Sequence, residues 1–380
     1  MDYGVEALRQ HKKLRGKLAI ELKDTLDTKE KLSIYYTPGV AAVSSYVAKN
    51  PSEARDYTWL NNSVAVISDG SAVLGLGDIG PYGALPVMEG KCMLFKHFAN
   101  IDAVPIVLNA HTADDIVKAV VAIAPSFGGI NLEDIAAPIC FEVEDRVKKA
   151  LDIPVMHDDQ HGTAVVVLAG LINAMRVTGK NLSNCRVVIV GAGAAGVAVA
   201  KLLHKYAKPE IVTVDSKGAI THGRTDLNEH KRHLASLHKI IHQGPKIKPL
   251  HEVIASADIF IGVSKPGLLT PAMIKTMNPD PIIFAMANPN PEILPADAKR
   301  AGAAVVATGR SDFPNQVNNA LAFPGIFRGA LDNRVKHITD GHKIAAAEVI
   351  AGLVDKPKPG NIIPSVLDER LVPAISKVIT

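Results

Sequence analysis

The pattern of apolar and polar positions in the first half of the chain predicts strands that alternate with helices. Apolar runs bounded by turn residues predict strands at 64–67, at 103–110, at the start of 128–135 and at 152–159. Helical spacing predicts helices over about the first 30 residues, over 113–127 and over 163–178. Because strands and helices alternate, we expect an α/β domain with a mainly parallel sheet.

The second half of the chain repeats this alternation after a glycine-rich turn. Segment 184–206 predicts a strand, a turn and a helix, and further strands are predicted at 210–215, 257–263, 281–288 and 303–309. This series is typical of a doubly wound, Rossmann-type nucleotide-binding domain. We therefore divide the chain into an α/β domain of residues 1–160 and a Rossmann-type domain of residues 161–380, whose tail holds a helix near 343–353.

The composition is that of a soluble globular protein. The 380 residues are 47% hydrophobic and 21% charged, and this length suggests about two domains. The net charge is only +4 and aromatic residues make up 4%, so the chain lacks the clustered basic face and the stacking platforms that nucleic-acid binding requires. We expect small-molecule ligands, anions included, and no nucleic-acid partner.

The cysteines and the apolar stretches bear on the cellular compartment. Cys92, Cys140 and Cys185 are isolated, without a CxxC pair, which favours a reducing compartment. The N-terminal sequence MDYGVEALRQHKKLRGK has no apolar core for a secretory signal. The longest apolar stretch, around 165–172, is too short to span a bilayer. We expect a cytoplasmic protein with no membrane partner.

A glycine fingerprint follows the first strand of the second half. In VVIVGAGAAG, Gly191 suits a tight turn, Gly193 lets the backbone approach a pyrophosphate, and Gly196 permits close packing of helix on strand. The residues between these glycines, Ala192, Ala194 and Ala195, belong to the same loop. The following helix presents free N–H groups to phosphates. This context favours dinucleotide binding over a mere packing turn.

The residues after the next strand leave the cofactor open between NAD and NADP. Asp215 ends that strand, where an acid binds the ribose hydroxyls of NAD and repels a 2′-phosphate. Lys217 lies two residues later and offers a partner for that phosphate. Both cofactors therefore remain candidates.

Acidic residues follow two predicted strands of the first half. Glu133 and Asp134 come after one strand, and Asp158 and Asp159 end another. Each pair has a structural alternative, because acids favour helix N-termini and Asp caps helices. Together, however, acids from two strand ends supply the oxygen ligands that Mg²⁺ or Mn²⁺ prefers. We therefore predict a divalent-metal site here.

Histidines do not provide a convincing zinc site. His157 and His161 are four residues apart in PVMHDDQHGTA, as in zinc sites on helices. Because 155–158 is predicted as a strand end, the two rings are not expected to share a helical face, and the glutamate of HExxH is absent. Six of the 14 histidines lie between Thr221 and His251 without ligand spacing, and we interpret them as solvated surface.

Tyr36 and Lys91 are candidates for proton transfer. Tyr36 lies in YYTPGV, and Lys91 ends the glycine-rich segment SDGSAVLGLGDIGPYGALPVMEGK. Taken singly, a tyrosine such as Tyr36 is more often a buried structural residue and a lysine such as Lys91 is more often solvated.

Taken in order, these motifs resemble the malic enzyme family, in its short bacterial and archaeal form. The resemblance covers most of the chain and is carried by YYTPGVA, DGSAVLGLGDIGPYGALPVMEGK, LEDI, IPVMHDDQHGTA, VGAGAAG, VDSKG, AMANPNPEI and NQVNNALAFPGIFRGALD. It implies a first domain that binds substrate and metal, and a second that binds NAD or NADP.

The resemblance also implies roles for individual residues. Tyr36 matches the proton donor of the family and Lys91 its general base, while Asp158 matches an acid that supports both the metal and the lysine. Asn288 and Asn318 match asparagines that contact the substrate carboxylate or the cofactor amide. The residues that match the metal ligands are Glu133, Asp134 and Asp159. Larger members carry an arginine for the malate carboxylate where this chain has Ala72.

The implied reaction is the oxidative decarboxylation of (S)-malate to pyruvate and CO₂ by a homodimer or higher homo-oligomer. For Lys91 to act as a base, burial and a nearby cation would have to lower its pKa. An oxaloacetate decarboxylase of the same family with little redox turnover would carry the same site. A nucleotide-sensing protein on an inactive scaffold is disfavoured by the intact residue set.

Overall fold

The computed structural model describes residues 3–73, 75–237 and 247–380. Within these residues the strands form two separate sheets. The first sheet contains β1 (Ser63–Ser68), β2 (Asp102–Val107), β3 (Gly129–Leu132) and β4 (Val155–His157). The second contains β5 (Arg186–Val190), β6 (Glu210–Asp215), β7 (Gly218–Ala219), β8 (Ile259–Gly262), β9 (Ile282–Ala285) and β10 (Val305–Thr308).

The described helices surround and connect these sheets. Up to the link between the sheets they are α1 (Tyr3–Leu14), α2 (Lys29–Tyr35), α3 (Gly39–Lys49), α4 (Ala54–Tyr57), α5 (Gly80–Ala99), α6 (Ala113–Ile123), α7 (Ile139–Ala150) and α8 (Asp158–Thr178). The others are α9 (Ala194–Ala207), α10 (Glu229–Leu237), α11 (Leu250–Val253), α12 (Pro271–Ile274), α13 (Pro295–Arg300), α14 (Phe323–Asp332), α15 (Asp340–Gly352) and α16 (Leu371–Ser376).

The sheet topology confirms the predicted fold class. The first sheet has the order β2-β1-β3-β4 and is parallel throughout. The second has the order β10-β9-β8-β5-β6-β7, with only β7 antiparallel to its neighbour. Its strand order reverses at β5, and in such sheets ligands bind beyond the carboxyl ends of the strands at the reversal point.

Helix α8 joins the two sheets through the centre of the molecule. It follows β4 and precedes β5, and it packs against α9 and α15. It is long and apolar enough to cross a membrane, but 67% of its apolar window is buried inside the protein. The helix is therefore part of the buried core. It is longer than the apolar stretch around 165–172 that the sequence analysis named as the longest.

The start of α8 also corrects a boundary prediction. The helix was expected from Thr163 and the strand up to residue 159, whereas β4 ends at His157 and α8 begins at Asp158. Acids in a first helical turn interact favourably with the helix dipole, and the buried helix interior tolerates Gly162. Asp158 and Asp159 are therefore helical residues rather than strand residues.

Three other helix boundaries differ from expectation. The N-terminal helix stops at Leu14, because Arg15 and Gly16 both have positive φ. Helix α6 ends at Ile123 and gives way to a 3₁₀ turn that contains Pro125. Helix α15 begins at Asp340, three residues before the predicted start, because Thr339 caps it.

The N-terminal segment contributes nothing to the buried core of the chain. No residue from 3 to 62 is buried. The segment nevertheless exposes many large apolar side chains, among them Val5, Leu8, Ile20, Leu22 and Ile34. Exposed apolar surface of this extent marks an interaction surface.

The C-terminal tail returns to the first sheet. Phe323 and Phe327 of α14 pack edge-on against Phe95 of α5, with ring centroids 4.6 and 5.4 Å apart. Arg328 Nη1 donates to Asn62 Oδ1 at 2.6 Å. The division at residue 160 remains a proposal about chain segments, since α8 crosses it and the tail packs on the first domain.

Candidate active site

The predicted acids meet because their strands are neighbours. Leu132 of β3 pairs with His157 of β4 in a parallel register, so the residues that follow both strands leave the same edge of the sheet. Glu133 and Asp134 follow β3, while Asp158 and Asp159 form the first turn of α8. Residues distant in the chain therefore form one acidic cluster.

Three of these acids are spaced to hold one cation. One carboxylate oxygen from each of Glu133, Asp134 and Asp159 lies within 4.8 Å of the others. Among the described residues this is the only such group of His, Cys, Asp or Glu side chains. All three ligands are oxygens, which suits Mg²⁺ or Mn²⁺ better than zinc.

Local hydrogen bonds hold the acids in place. Asp159 Oδ2 accepts the backbone N–H of Asp134 at 2.8 Å, and Glu133 Oε2 accepts Asn131 Nδ2 at 2.9 Å. Asp134 has a φ of 52°, a left-handed conformation that aspartate tolerates better than most residues. Burial raises the pKa of Glu133 well above its usual value, although Lys91 opposes the shift.

Lys91 lies inside the acidic cluster. Its Nζ is 2.5 Å from Asp158 Oδ2 and 2.8 Å from Glu133 Oε1, and the side chain is buried. Burial alone would lower the pKa of Lys91, but the carboxylates of Asp158 and Glu133 outweigh burial and hold it above the usual lysine value. This direction is opposite to the lowered pKa that a general base requires.

One cavity of about 710 Å³ connects the acidic cluster to the second domain. On one side it is lined by Lys91, Glu133, Asp134 and Asp159, and on the other by Gly193, Ala194 and Ala195 of the glycine loop. Asn288, Asn318 and Ala72 also line it. A small acid bound at the carboxylates would therefore face a dinucleotide bound at the glycine loop.

The glycine loop has the geometry that its sequence predicts. Gly191 has a φ of 116°, and a Cβ there would meet the carbonyl oxygen of Val263 at 2.5 Å. Gly193 is the N-cap of α9, and a Cβ there would have no atom within 4 Å. The turn thus requires glycine at 191, while the space in front of Gly193 is open toward the cavity.

Asp215 forms part of an ion-pair network that sequence reasoning missed. Arg224 donates to both carboxylate oxygens of Asp215 at 2.9 and 3.0 Å, and Lys231 Nζ lies 2.7 Å from Oδ2. Lys217 pairs with Asp226, which Arg224 also binds. The three cations outnumber the two acids, so the negative charge of Asp215 is balanced locally.

A second missed residue supports the cofactor side of the cavity. Glu292 is fully buried and accepts the backbone N–H groups of Ser264 and Ala287 at 3.1 and 3.0 Å. It thereby ties the loops after β8 and β9, both of which line the cavity. AMANPNPEI contains this acid, but only the fold shows that it is buried between two loops.

Tyr36, which was predicted as the proton donor, lies elsewhere, and the two histidines that were excluded as zinc ligands do not form a zinc site. Tyr36 follows α2 and has 66% of its surface exposed, and it does not line the cavity. His161 turns away from the carboxylates toward Glu144 and Lys343, while the ring of His157 is buried. Of the six histidines between 221 and 251, His238 and His242 lie outside the described residues.

The fold and the cavity define a class of protein. A carboxylate cluster that holds a buried lysine, facing the glycine loop of a Rossmann-type sheet, is the arrangement of a dinucleotide-dependent oxidoreductase for a small metal-chelating acid. The family models narrow this class. Residues 15–148 match "Malic enzyme, N-terminal domain" and residues 160–378 match "Malic enzyme, NAD binding domain". The chain belongs to the malic enzyme family.

Individual relatives agree with this assignment. The chain is 55% identical to the bifunctional malic/malolactic enzyme of Bacillus subtilis, over 100% of this chain and 92% of the relative. It is 52% identical to the NAD-dependent malic enzyme of Geobacillus stearothermophilus, over 96% and 76% of the two chains. The crystal structure of the NAD-dependent malic enzyme from Thermotoga maritima superimposes with a TM-score of 0.94 at 47% identity, with 98% of each chain covered.

Proposed function

We propose that this chain catalyses the metal-dependent oxidative decarboxylation of (S)-malate to pyruvate and CO₂, with reduction of NAD or NADP. The observation that carries the proposal is the shared cavity, in which Lys91 and the acidic cluster face the glycine loop. Curated relatives named for NAD and for NADP both match the chain. Their names favour a malic enzyme over an enzyme that only decarboxylates oxaloacetate.

The residues present fit the metal and the dinucleotide. Glu133, Asp134 and Asp159 would hold Mg²⁺ or Mn²⁺. Such a cation would polarise the malate hydroxyl and offset the negative charge around Lys91. The dinucleotide would lie on the loop Gly191, Ala192, Gly193, Ala194, Ala195 and Gly196, with Asp215 or Lys217 at its ribose, and its nicotinamide would accept the hydride.

Within this site we assign proton transfer to two residues. Lys91 takes the hydroxyl proton of malate, and Asp158 positions its Nζ through the 2.5 Å contact. After CO₂ has left, Tyr36 gives a proton to the enolate carbon, which produces pyruvate. Ala72 lines the cavity but carries no charge for the substrate carboxylate. We therefore assign contact with this carboxylate, or with the nicotinamide amide, to Asn288 and Asn318.

We further propose that the active unit is a homodimer in which Tyr36 serves the partner's site. Tyr36 is exposed outside the cavity of its own chain. It belongs to a segment without any buried residue but with many exposed apolar side chains, which a second copy of the chain would cover. A cytoplasmic location fits the isolated, reduced cysteines.

The test is an assay grid of malate and oxaloacetate against NAD and NADP, with Mg²⁺ or Mn²⁺. We expect malate-dependent formation of reduced nicotinamide together with pyruvate, and loss of both with a chelator. Lactate is measured in parallel, because the Bacillus subtilis relative is named a malic/malolactic enzyme. Decarboxylation of oxaloacetate without any malate-dependent reduction would overturn the proposal.

A further inference from the structure

A second charged cluster lies behind the acidic cluster, outside the active-site cavity. It consists of Glu144 and Lys148 of α7, Gln160 and His161 of α8, and Lys343 of α15, and we call it the Glu144 cluster. It borders a separate cavity of about 260 Å³. None of the five side chains lines the cavity that contains Lys91.

Glu144 makes four polar contacts although it is buried. Oε1 accepts the backbone N–H of His157 at 3.0 Å and lies 2.6 Å from Lys148 Nζ. Oε2 accepts Gln160 Nε2 at 3.2 Å and lies 2.9 Å from His161 Nε2. Burial opposes the ionisation of Glu144, yet His161 and Lys148 outweigh it and hold its pKa well below the usual range.

These contacts surround the first turn of α8. His157 is the N-cap of the helix, and its side chain makes no capping hydrogen bond. β4 is also an edge strand of its sheet. Glu144 therefore binds the residue before Asp158 and the residue after Asp159, so that its two bonds flank both aspartates. A carboxylate on α7 thus holds the backbone N–H two residues before the predicted metal ligand Asp159 and the side chain one residue after it.

The cluster also continues to the tail of the chain. His161 Nδ1 lies 3.1 Å from Lys343 Nζ, and Lys343 pairs with Asp340 at 2.9 Å. Helix α15, which packs against α8, is thereby tied to the same turn. The position of Asp159 is therefore held from α7 on one side and from α15 on the other.

From this geometry we propose that Glu144 is a positioning residue for the metal site, acting through the backbone of His157 and the first turn of α8. It touches neither the substrate cavity nor the three acids that would hold the cation. Its loss should displace Asp159 relative to Glu133 and Asp134 and so weaken metal binding more than cofactor binding. The inference rests on the proposed metal site.

The experiment measures Mn²⁺ affinity from the electron paramagnetic resonance signal of free Mn²⁺, using the full-length protein. We expect Glu144→Ala to bind Mn²⁺ about 10-fold more weakly than wild type or worse, the range seen for groups that orient metal ligands. Glu144→Gln keeps its shape and one acceptor, and should fall between the two. The control is Glu142→Gln on the same helix, which alters only an exposed pair with Arg146 and should match wild type.

Two further readouts separate positioning from general damage. The dissociation constant for NADH should stay within about twofold of wild type in every variant, because binding at the glycine loop does not use Glu144. At saturating Mn²⁺ the kcat of Glu144→Gln should recover, whereas the Mn²⁺ concentration for half activation should rise. A purely structural defect would lower NADH affinity and thermal stability together, and that result would overturn the proposal.

Failure of the inference is distinguishable from failure of the proposed function. If wild-type protein binds no Mn²⁺, the metal site itself is wrong. If wild type binds Mn²⁺ and folded Glu144→Ala binds it equally well, only the positioning role is wrong. If Glu144→Ala does not fold, Glu144→Gln provides the test. Wild-type Mn²⁺ affinity in that variant would then overturn the positioning role of Glu144.

Discussion

Lys91 Nζ and Asp158 Oδ2 are 2.5 Å apart, although the two residues are separated by 67 positions in the chain. Lys91 comes from the middle of α5 and Asp158 from the first turn of α8. Both side chains are buried. A buried ion pair is a poor source of stability, because desolvation offsets most of the attraction between the charges. Because the pair lies inside the acidic cluster, we expect it to serve the proposed chemistry of the site and not the stability of the fold.

Removal of the lysine should therefore stop the reaction without abolishing cofactor binding. We expect Lys91→Ala to lower kcat for malate oxidation by about 10²–10⁴-fold, the usual contribution of a general base. NADH affinity should remain near wild type, because Lys91 is not part of the glycine loop. Lys96→Ala, on the same helix but exposed and paired with Asp102, is the matched control. Malate oxidation near the wild-type rate in Lys91→Ala refutes the assignment.

Tyr36 allows a test of whether the site is shared between chains. Tyr36→Phe and Lys91→Ala homodimers should each be inactive. If Tyr36 serves the partner's site, random exchange of subunits restores one intact site in each heterodimer, or about a quarter of the wild-type sites. Activity is measured after the two variants are mixed and refolded or co-expressed. Were Tyr36 to act within its own chain, every site of the mixture would carry a defect and no activity would return.

The sequence predicted that the acids after β3 and β4 would lie together, because parallel strands bring their carboxyl ends to one edge of the sheet. Glu133, Asp134 and Asp159 lie together as this rule requires. The pattern of apolar and polar positions did not reveal that α8 begins at Asp158, because two adjacent acids suit both the end of a strand and the first turn of a helix. Helix ends depend on capping contacts, and here the contact is Glu144, which lies 13 residues away from His157.

Long-range polar contacts explain what else the sequence did not reveal. Arg224 lies in none of the quoted motifs, and Glu292 lies in AMANPNPEI without a role that the motif assigns to it. Their contacts form only when loops of the second sheet fold together. Tyr36 shows the opposite case. Its motif assigned a role, but no local pattern predicts that the segment around it stays unburied in the single chain. The periodicity of one chain predicts which positions are apolar, and it does not predict whether a second copy covers them.

Metal binding should release protons, because burial raises the pKa of Glu133. A proton held by Glu133 must leave when a cation binds to its carboxylate, so Mn²⁺ affinity should increase with pH. Isothermal titration calorimetry in two buffers of different ionisation enthalpy gives the number of protons released. We expect a positive number for wild type and a smaller one for Glu133→Gln. Equal proton release by both proteins means that another group supplies the proton.

The ion-pair network around Asp215 should influence the choice between NAD and NADP. Lys231 Nζ helps to balance the charge of Asp215, so its removal leaves more negative charge near a 2′-phosphate. We expect Lys231→Ala to lower the ratio of kcat/KM for NADP over NAD on the order of fivefold, or about 1 kcal/mol. Arg232→Ala is the control, because Arg232 lies on the same helix and its guanidinium donates to the carbonyl of Leu227 and not to Asp215 in the described part of the chain. An unchanged ratio excludes Lys231 as a determinant.

His161 should make the folded state sensitive to mild acid. Burial lowers the pKa of His161 from 6.5 to about 4, although Glu144 opposes the shift. In the unfolded chain His161 therefore binds a proton below about pH 6.5, whereas in the folded chain it stays neutral until the pH approaches 4. The corresponding stability is fully present above pH 6.5 and is lost as the pH falls toward 4.

The size of this effect follows from the same linkage. Between pH 7 and pH 5, wild type should lose about 2 kcal/mol more of its free energy of unfolding than His161→Gln, which cannot bind the proton. Urea unfolding at fixed protein concentration measures both losses. His222→Gln changes an exposed histidine and should keep the wild-type pH dependence. Parallel losses in wild type and His161→Gln would show that buried His161 is not the acid-sensitive group.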